Sequence, residues 1–362
     1  MIRLNDFMNS GIKSIYDTAG QFYLGNRRGQ AFMLHMVPAL RTSTKIREQY
    51  EHNGIHIPSF LISSISTACN LHCAGCYARA NGDCSDERSQ EEMDLADWQR
   101  VFTEASEIGI PFILLAGGEP LIHRDIIELA AQFDNIVFPI FTNGTLIDEG
   151  YLMLFDKHRN LIPVLSIEGR EAQTDKRRGR GISKTIWNAA QALRDKGILY
   201  GTSITVTSEN KDDVTDGGFV HDLRERGCGL IFYIEYVPVE ENTEHLVLSS
   251  DELQILQERI NALKSDRQNK GIIMLSFPGD EEAMGGCLAA GRGFFHINAN
   301  GGAEPCPFSP YSEMNLKRKS ILEVLQSPFF ERVREISMLE TLGHKGGCTL
   351  FQHEDEVRRI LS

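Results

Sequence analysis

The sequence contains no apolar run that approaches the ~18 residues of a membrane span. Its first residues also lack the charged start, apolar stretch and small-residue cleavage site of a secretory signal. These two absences predict a cytoplasmic protein. Basic residues are in the minority, because 37 Lys and Arg face 50 Asp and Glu and leave a formal net charge of -13. A chain with this overall field is not expected to bind nucleic acid nonspecifically.

No internal repeat, low-complexity segment or long Gly, Ser and Pro linker divides the 362 residues, so domain boundaries have to come from changes of pattern. From residue 57 onward, short apolar runs alternate with amphipathic stretches, which is typical of βα units around a parallel sheet. Six such runs predict strands at residues 60–66, 111–116, 136–142, 161–167, 200–206 and 230–237. The predicted fold class is therefore α/β.

The pattern changes on either side of these units. We expect an N-terminal helical segment at residues 1–56, the βα units at 57–245, a connecting helix at 246–270 and a small C-terminal domain of short strands and helices at 271–362. In parallel barrels the active site lies at the C-terminal ends of the strands. The residues that end each strand are therefore the informative ones.

Three cysteines lie within eight residues, because the run CNLHCAGC contains Cys69, Cys73 and Cys76. Cysteine thiolates are the usual ligands of iron–sulfur clusters, and three of them on a four-iron cluster leave one iron open to an exchangeable small molecule. A structural zinc site that includes His72 is the alternative, although such sites normally close with four ligands built from C-x2-C pairs. Disulfides are not expected in a reducing compartment.

This spacing, together with motifs at the later strand ends, resembles the radical S-adenosylmethionine (SAM) superfamily as far as about residue 240. The resemblance implies a partial (β/α)6 TIM-like barrel with a [4Fe-4S] cluster on Cys69, Cys73 and Cys76. In that family SAM binds the open iron, and one electron from the cluster breaks a carbon–sulfur bond of SAM. The 5′-deoxyadenosyl radical so formed takes hydrogen from a substrate. A reducing protein such as flavodoxin or ferredoxin is the implied partner. One departure is Gly75, since an aromatic residue often precedes the third cysteine.

The resemblance also implies SAM contacts at successive strand ends. The implied residues are Gly117, Gly118, Glu119, Pro120, Thr142, Asn143, Ser166, Glu168, Arg178 and Thr205. Residues 117–120 match the GGEP that contacts the SAM amino group in the family, and glycines let a backbone come close to a ligand. Arg178 occupies the arginine position of D-x2-R-G-x-G, whose guanidinium pairs with the SAM carboxylate.

Some of these residues have a second interpretation. Glu168 is the candidate catalytic residue, because the matching family stretch faces the cavity near SAM and the substrate. A buried carboxylate at that position also fits a structural role with satisfied partners. Thr142 and Asn143 either bind the cofactor or stabilise the turn by local hydrogen bonds.

Three further cysteines follow near the C-terminus, at Cys287, Cys306 and Cys348. The first two fit C-x13-G-x4-C, and the stretch between them predicts a hairpin closed by an Asn-Gly-Gly turn. This resembles the SPASM domain in its shortened "twitch" form, which implies an auxiliary iron–sulfur cluster. The fourth ligand is left open among His344, His353, Cys228, a carboxylate and the substrate. Three unrelated buried cysteines are the alternative, while Cys228 is interpreted as core and Cys84 as a loop thiol.

The resulting functional hypothesis is a radical SAM enzyme that abstracts hydrogen from an organic substrate, with a cofactor or metabolite precursor favoured. A ribosomal peptide or protein maturase is the alternative within the superfamily. An iron–sulfur carrier without SAM cleavage and a zinc scaffold are alternatives from other classes. The radical-quenching residue is not identified among Tyr77, Tyr233, Tyr236 and Cys84.

Overall fold

The computed structural model describes Tyr23 and residues 26–280, 286–339 and 348–361. Its first helix, α1, is Arg27–His52, within the segment predicted to be helical. Asn26 begins the helix, because its side chain accepts hydrogen bonds from the backbone N–H groups of Arg28 and Gly29. Near the other end, the buried Arg47 donates to the carbonyl of Gly109 over 2.7 Å and holds α1 on the barrel.

A ten-stranded sheet organises the chain, in the order β10-β9-β8-β1-β2-β3-β4-β5-β6-β7. Strands β1 to β7 pair in parallel with their neighbours in sequence. Their bounds are Phe60–Ser66, Phe112–Gly117, Phe138–Thr142, Leu161–Ile167, Tyr200–Val206, Cys228–Glu235 and Ile273–Phe277. The first six overlap the six predicted strands. The α/β fold with a parallel, unclosed barrel sheet is thus confirmed.

Helices connect the strands of this sheet. In chain order up to β7 they are α2 Tyr77–Ala80, α3 Leu95–Glu107, α4 Arg124–Ala130, α5 Glu149–Lys157, α6 Glu171–Arg178, α7 Ile182–Asp195, α8 Lys211–Val214, α9 Gly217–Glu225 and α10 Ser250–Ser265. Helix α3 shows how the sequence specifies them. Asp94 and Asp97 form a capping box at its start, and Trp98, Val101, Phe102 and Ala105 form one buried face.

Strand β7 lies within the residues that the sequence assigned to the C-terminal domain. It pairs with β6 from Leu230/Ile273 to Ile234/Phe277 and extends the parallel sheet by one strand. The short apolar run at 273–277 carried no βα signal, because the next residues in the sequence, 278–286, have no amphipathic pattern of helix length. The barrel sheet therefore continues past the predicted boundary at residue 271.

The C-terminal region joins the opposite edge of the same sheet. Strand β8 (His296–Ile297) pairs in parallel with β1, β9 (Gly302–Glu304) pairs with β8 as a hairpin, and β10 is Met314–Asn315. Asn298 closes the hairpin, since its side-chain oxygen accepts from the N–H groups of Asn300 and Gly302. The described part of this region continues with the helices α11 Ile321–Leu325, α12 Pro328–Leu339, α13 Thr349–Gln352 and α14 Glu354–Ile360.

Aromatic side chains line the gap between the first and last parallel strands. The ring of Phe60 on β1 stacks on Phe294, with ring centres 5.0 Å apart, and meets the edge of Phe277 on β7 at 6.3 Å. These rings form one wall of the cavity described below. Within the described residues, no helix is both long and apolar enough to cross a membrane.

Candidate active site

A cavity of about 270 Å³ lies at the C-terminal ends of the strands, and all six cysteines of the two predicted metal sites line it. We call Cys69, Cys73 and Cys76 the first cysteine group, and Cys287, Cys306 and Cys348 the second cysteine group. The other predicted residues that line the cavity are Gly117, Gly118, Glu119, Asn143, Ser166, Arg178 and Thr205. Folding therefore brings residues from five strand ends and two distant cysteine groups to one place.

The loop that carries the first cysteine group is fixed by two arginines. Arg79, on the helix that follows the loop, donates to the carbonyls of Cys69 and Leu71 over 3.1 and 2.9 Å. Arg177 donates to the carbonyl of Ala74 over 3.0 Å, while its own carbonyl accepts from the Ala74 N–H at 2.9 Å. The loop backbone is thus held in place by protein groups alone, which prepares three thiols on one side of the cavity.

A fourth thiol stands beside the first cysteine group. Cys84 is buried, and the backbone around it pairs with the start of the loop, because Cys69 N–H donates to Ser85 and Ser85 N–H donates to Thr67. A hydrogen bond between the thiols of Cys84 and Cys69 is the main cause that lowers the pKa of Cys69 and raises that of Cys84. No sequence pattern indicated this pairing, since Cys84 fits no ligand spacing.

The first cysteine group suits an iron–sulfur cluster. Its cysteines form no disulfide, and they line an enclosed space. Within residues 26–280, 286–339 and 348–361, no three His, Cys, Asp or Glu side chains converge closely enough to hold one metal ion. In a four-iron cluster each thiolate binds a different iron, so the ligands stand farther apart than around one zinc ion. Burial raises the pKa of Cys73, and Arg178 and Arg177 oppose that effect by favouring the thiolate.

The two glycines of residues 117–120 are required by the backbone at the end of β1 and just after it. A Cβ on Gly118 would lie 2.1 Å from the carbonyl oxygen of Ala68, and one on Gly117 would lie 2.6 Å from that of Ser66. Gly118 N–H donates to Ser66 over 2.7 Å. The buried Pro120 then begins a short 3-10 turn. Both glycines therefore let β2 end directly against the cysteine loop, and they still line the cavity.

Glu119 ties the ends of two strands together. One of its carboxyl oxygens accepts from Thr142 Oγ1 at 2.7 Å and Leu121 N–H at 3.0 Å, and the other accepts from Asn143 N–H at 2.8 Å. Asn143 in turn donates to Asn70 in the cysteine loop over 2.8 Å. Burial raises the pKa of Glu119 to about 7 although these donors favour its charged form. The hydroxyl of Thr142, which could otherwise bind a ligand, is engaged in this network.

Glu168 forms the centre of a buried ionic cluster at the end of β4. One of its oxygens lies 2.7 Å from Arg177 Nη1 and 2.6 Å from Arg178 Nη2, and the other accepts from Thr205 N–H at 3.1 Å. Its side chain is only 2% exposed and is not among the described cavity-lining groups, whereas both arginines are. This arrangement favours the structural alternative for Glu168, namely that it positions the two arginines.

The residues before and after Arg178 explain the spacing of that motif. Asp175 accepts from the N–H groups of Gly181 and Ser183 over 2.7 and 2.8 Å, so it caps the start of α7. These hydrogen bonds hold the pKa of Asp175 below its ordinary value. Gly179 has a φ of 114°, which a side chain would disfavour. Helix α6 therefore ends so that Arg178 lies near Cys73, with 3.9 Å between Nη1 and Sγ.

The second cysteine group comes from three separated segments. Cys306 follows β9, Cys287 precedes β8, and Cys348 begins α13. The aromatic rings of Tyr77, one residue after Cys76, and Phe308, two residues after Cys306, meet edge to face with 5.1 Å between their centres. The two cysteine groups therefore line one cavity.

The suggested fourth ligands of the second group lie in different places. His344 lies outside the described residues. Cys228 is fully buried on β6, where its thiol bonds to the carbonyl of Leu230, as expected for a core residue. His353 lies 3.5 Å from Glu356 and is not among the described lining groups.

Two residues beyond the end of β6 escaped the sequence motifs. Tyr236 follows the strand and lies against Gly75 of the cysteine loop. Glu240, a few residues on, accepts from Gly75 N–H over 2.8 Å. Neither residue belongs to a spacing pattern. The only signal in the sequence was the end of the sixth predicted strand, because strand ends are expected at the active site.

Comparisons with known proteins agree with this geometry. The model of the radical SAM superfamily matches residues 63–216. The Fe-coproporphyrin III synthase of Methanosarcina barkeri is 29% identical over 168 residues, which are 46% of this chain and 40% of that protein. The PqqA peptide cyclase of Gluconobacter oxydans is 28% identical over 262 residues, which are 69% of this chain and 70% of that protein.

A solved structure has the same fold over most of the chain. The crystal structure of Streptococcus suis SuiB bound to precursor peptide SuiA matches with a TM-score of 0.65 and 20% sequence identity, over 85% of this chain and 75% of that one. The chain therefore has an α/β partial-barrel fold with a cysteine-lined cavity. Its residues 63–216 match the radical SAM superfamily, the family that the sequence resembles.

Proposed function

We propose that this protein holds a [4Fe-4S] cluster on the first cysteine group and binds SAM beside it to start hydrogen abstraction from an organic substrate. The observation that carries the proposal is that the three thiols of one short loop line the same cavity as residues from successive strand ends. When bound, the cluster and SAM supply a 5′-deoxyadenosyl radical, which is chemistry that no amino-acid side chain provides.

The protein's own residues bind and orient the cofactor. Gly117 and Gly118 line the cavity wall, and we assign their backbone carbonyls to the ammonium group of SAM, while Glu119 keeps this segment next to the cysteine loop through the hydrogen bond from its N–H to the Ala68 carbonyl. Arg178 presents a guanidinium in the cavity, which suits the carboxylate of SAM. Ser166, Asn143 and Thr205 are the remaining candidate SAM contacts. Glu168 acts through the two arginines, so we assign it as a positioning residue.

The second cysteine group supports an auxiliary iron–sulfur cluster at the other side of the cavity, in an arrangement that resembles the twitch form of the SPASM domain. Its three thiols line the same space as the first group. A substrate that fills the cavity would therefore lie next to both groups. The type of this cluster and its fourth ligand are left open by this proposal.

The cavity wall favours a substrate with an apolar part. Between the cysteine groups it consists largely of aromatic and aliphatic side chains: Phe60, Ile62, Leu114, Phe141, Phe232, Ile234, Phe277, Phe294 and Phe308. Such a wall stabilises a ligand by removing apolar surface from water. A cofactor or metabolite precursor fits this description, and the similarity to a porphyrin synthase agrees with it. The similarity to a peptide cyclase supports a peptide with an apolar side chain as the second candidate.

The first experiment measures 5′-deoxyadenosine after anaerobic cluster reconstitution with dithionite and SAM. The intact protein is compared with a Cys69→Ala/Cys73→Ala/Cys76→Ala variant. We expect product from the intact protein alone. A fully loaded protein that neither binds nor cleaves SAM would overturn the proposal and favour an electron carrier. Replacing dithionite by flavodoxin or ferredoxin then tests the expected protein reductant.

A further inference from the structure

Several polar side chains on the wall of the cavity already bond to other protein groups. The carboxylate of Glu119 accepts three hydrogen bonds, and Arg178 pairs with Glu168. Ser203 on β5 differs from them, and no cofactor contact has been assigned to it. This residue lines the cavity and is only 6% exposed, and no described residue forms a hydrogen bond with its hydroxyl.

The alternation of side chains along β5 turns Ser203 toward the cavity. Ile204 belongs to the main hydrophobic core on the other side of the sheet, and Thr202 contacts the thiol of Cys228 in that same core. On the cavity side, Ser203 lies beside Ser166 of β4, because the two residues are paired in register. The Ser203 hydroxyl is not among the buried polar atoms that lack both a partner and accessible surface. It is therefore open to the cavity.

The wall next to Ser203 is apolar on the side of β6. Phe232 is its partner in register there, and the ring of Phe232 lies 5.0 Å from the ring of Phe141. Phe232 also belongs to a small buried apolar cluster with Val164 and Leu230. A hydroxyl beside such side chains costs free energy once a ligand displaces the water around it, unless that ligand supplies a hydrogen-bond partner.

We propose that Ser203 is a specificity-determining residue whose hydroxyl donates a hydrogen bond to a carbonyl oxygen of the substrate, as in a ketone or an amide. This inference deepens the proposed function and rests on it, because it takes the cavity as the substrate site. A hydroxyl has one donor hydrogen, and unpaired buried donors are rarer in folded proteins than incompletely paired acceptors. The substrate therefore carries an acceptor oxygen next to its apolar part, and an analogue of the same shape without that oxygen binds less well.

The test uses two probes of nearly the same shape, acetophenone and α-methylstyrene. The first has a carbonyl oxygen where the second has a methylene group, so only acetophenone can accept the hydrogen bond. Dissociation constants are measured by ligand-observed NMR titration on the anaerobically loaded protein, with SAM present and no reductant. Ser203→Ala removes the hydroxyl. The control is Ser63→Ala, which removes a hydroxyl that is buried on β1 and is not among the described cavity-lining groups. Calorimetry measures the SAM affinity of all three proteins.

We expect Ser203→Ala to shift the ratio of the two dissociation constants about fivefold toward α-methylstyrene, because acetophenone loses its donor. The ratio should stay unchanged in Ser63→Ala, and the SAM affinity should be the same in all three proteins. An unchanged ratio in Ser203→Ala would overturn the inference, as would the failure of both probes to bind the wild type. A weaker SAM affinity in Ser203→Ala would also overturn it, by assigning Ser203 to the cofactor. No SAM binding by the loaded wild-type protein would instead overturn the proposed function.

Discussion

The two cysteine groups line the same cavity, but different features of the fold place them there. The first lies in one short loop that Arg79 and Arg177 hold in place through backbone carbonyls. The second is assembled from three segments, and only the pairing of β8 with β1 brings its hairpin to the barrel. A local motif of this kind specifies its own geometry, whereas a dispersed one depends on the whole fold. The first site should therefore be rigid on its own, and the second should be separable from it.

Removing the second group should change the protein most. In a Cys287→Ala/Cys306→Ala/Cys348→Ala variant, about half of the iron should be lost, because one of two clusters has lost its ligands. Cleavage of SAM to 5′-deoxyadenosine should persist, since the first group is untouched. Iron and sulfide assays with product chromatography measure both. Complete loss of iron would show that the two sites are not separable.

The Glu168→Gln substitution is expected to have the second-largest effect. The substitution leaves two partly buried arginines without a balancing charge, so the free energy of unfolding should fall by about 3 kcal/mol. Urea denaturation of the cluster-free protein measures it. The control is Glu149→Gln, which breaks the exposed ion pair with Lys196 and should cost less than about 1 kcal/mol. Equal costs would mean that the first site lacks a rigid ionic support.

The free energy of unfolding of the protein should also depend on pH, through Glu119. Its pKa is raised from 4.5 to about 7 by burial, so the folded protein holds this proton more tightly than the unfolded chain does. The resulting contribution to the free energy of unfolding is fully present below pH 4.5 and is lost as the pH rises through about 7, by at most about 3 to 4 kcal/mol.

Unfolding of the wild type and of Glu119→Gln, measured without SAM from about pH 4.5 to about pH 8, isolates this contribution. The difference between the two proteins should change with pH in that direction and level off at the upper end of the range. A difference that stays constant with pH would show that Glu119 is ionised throughout.

Arg79→Lys should have a smaller effect than these. Lysine keeps the charge but loses the planar fork that contacts two carbonyls of the loop, so the cluster should be lost several-fold faster to a chelator. Arg124→Lys, which alters an exposed pair with Glu128, is the control and should leave that rate unchanged. Equal rates for both variants would contradict the view that the loop is held by Arg79.

The parts of the fold that the sequence predicted are those with local signals. The six strands follow from apolar runs of strand length, and the SAM motifs follow from short fixed spacings at their ends. The hairpin between Cys287 and Cys306 was likewise predictable from its turn residues, and Asn298 indeed closes it. Whether the proposed SAM contacts bind SAM stays a prediction.

The features that the sequence did not predict are contacts between distant residues. Cys84 lies beside Cys69 because a loop folds back on the strand end, and Tyr236 fills the space above Gly75 because β6 ends there. Strand β7 belongs to the sheet although no amphipathic helix pattern follows it in the sequence. The glycines of residues 117–118 were expected for approach to a ligand, yet the structure shows that the backbone at the end of β1 and just after it already requires them.

Electron paramagnetic resonance of the reduced protein, with and without SAM, can assign the cofactor to one cysteine group in variants that keep only that group. With the second group replaced by alanine, addition of SAM should change the signal of the remaining cluster, because its open iron binds the cofactor. With the first group replaced, SAM should leave the signal unaltered. A SAM-dependent change that follows the second group instead would contradict the assignment of the cofactor to Cys69, Cys73 and Cys76.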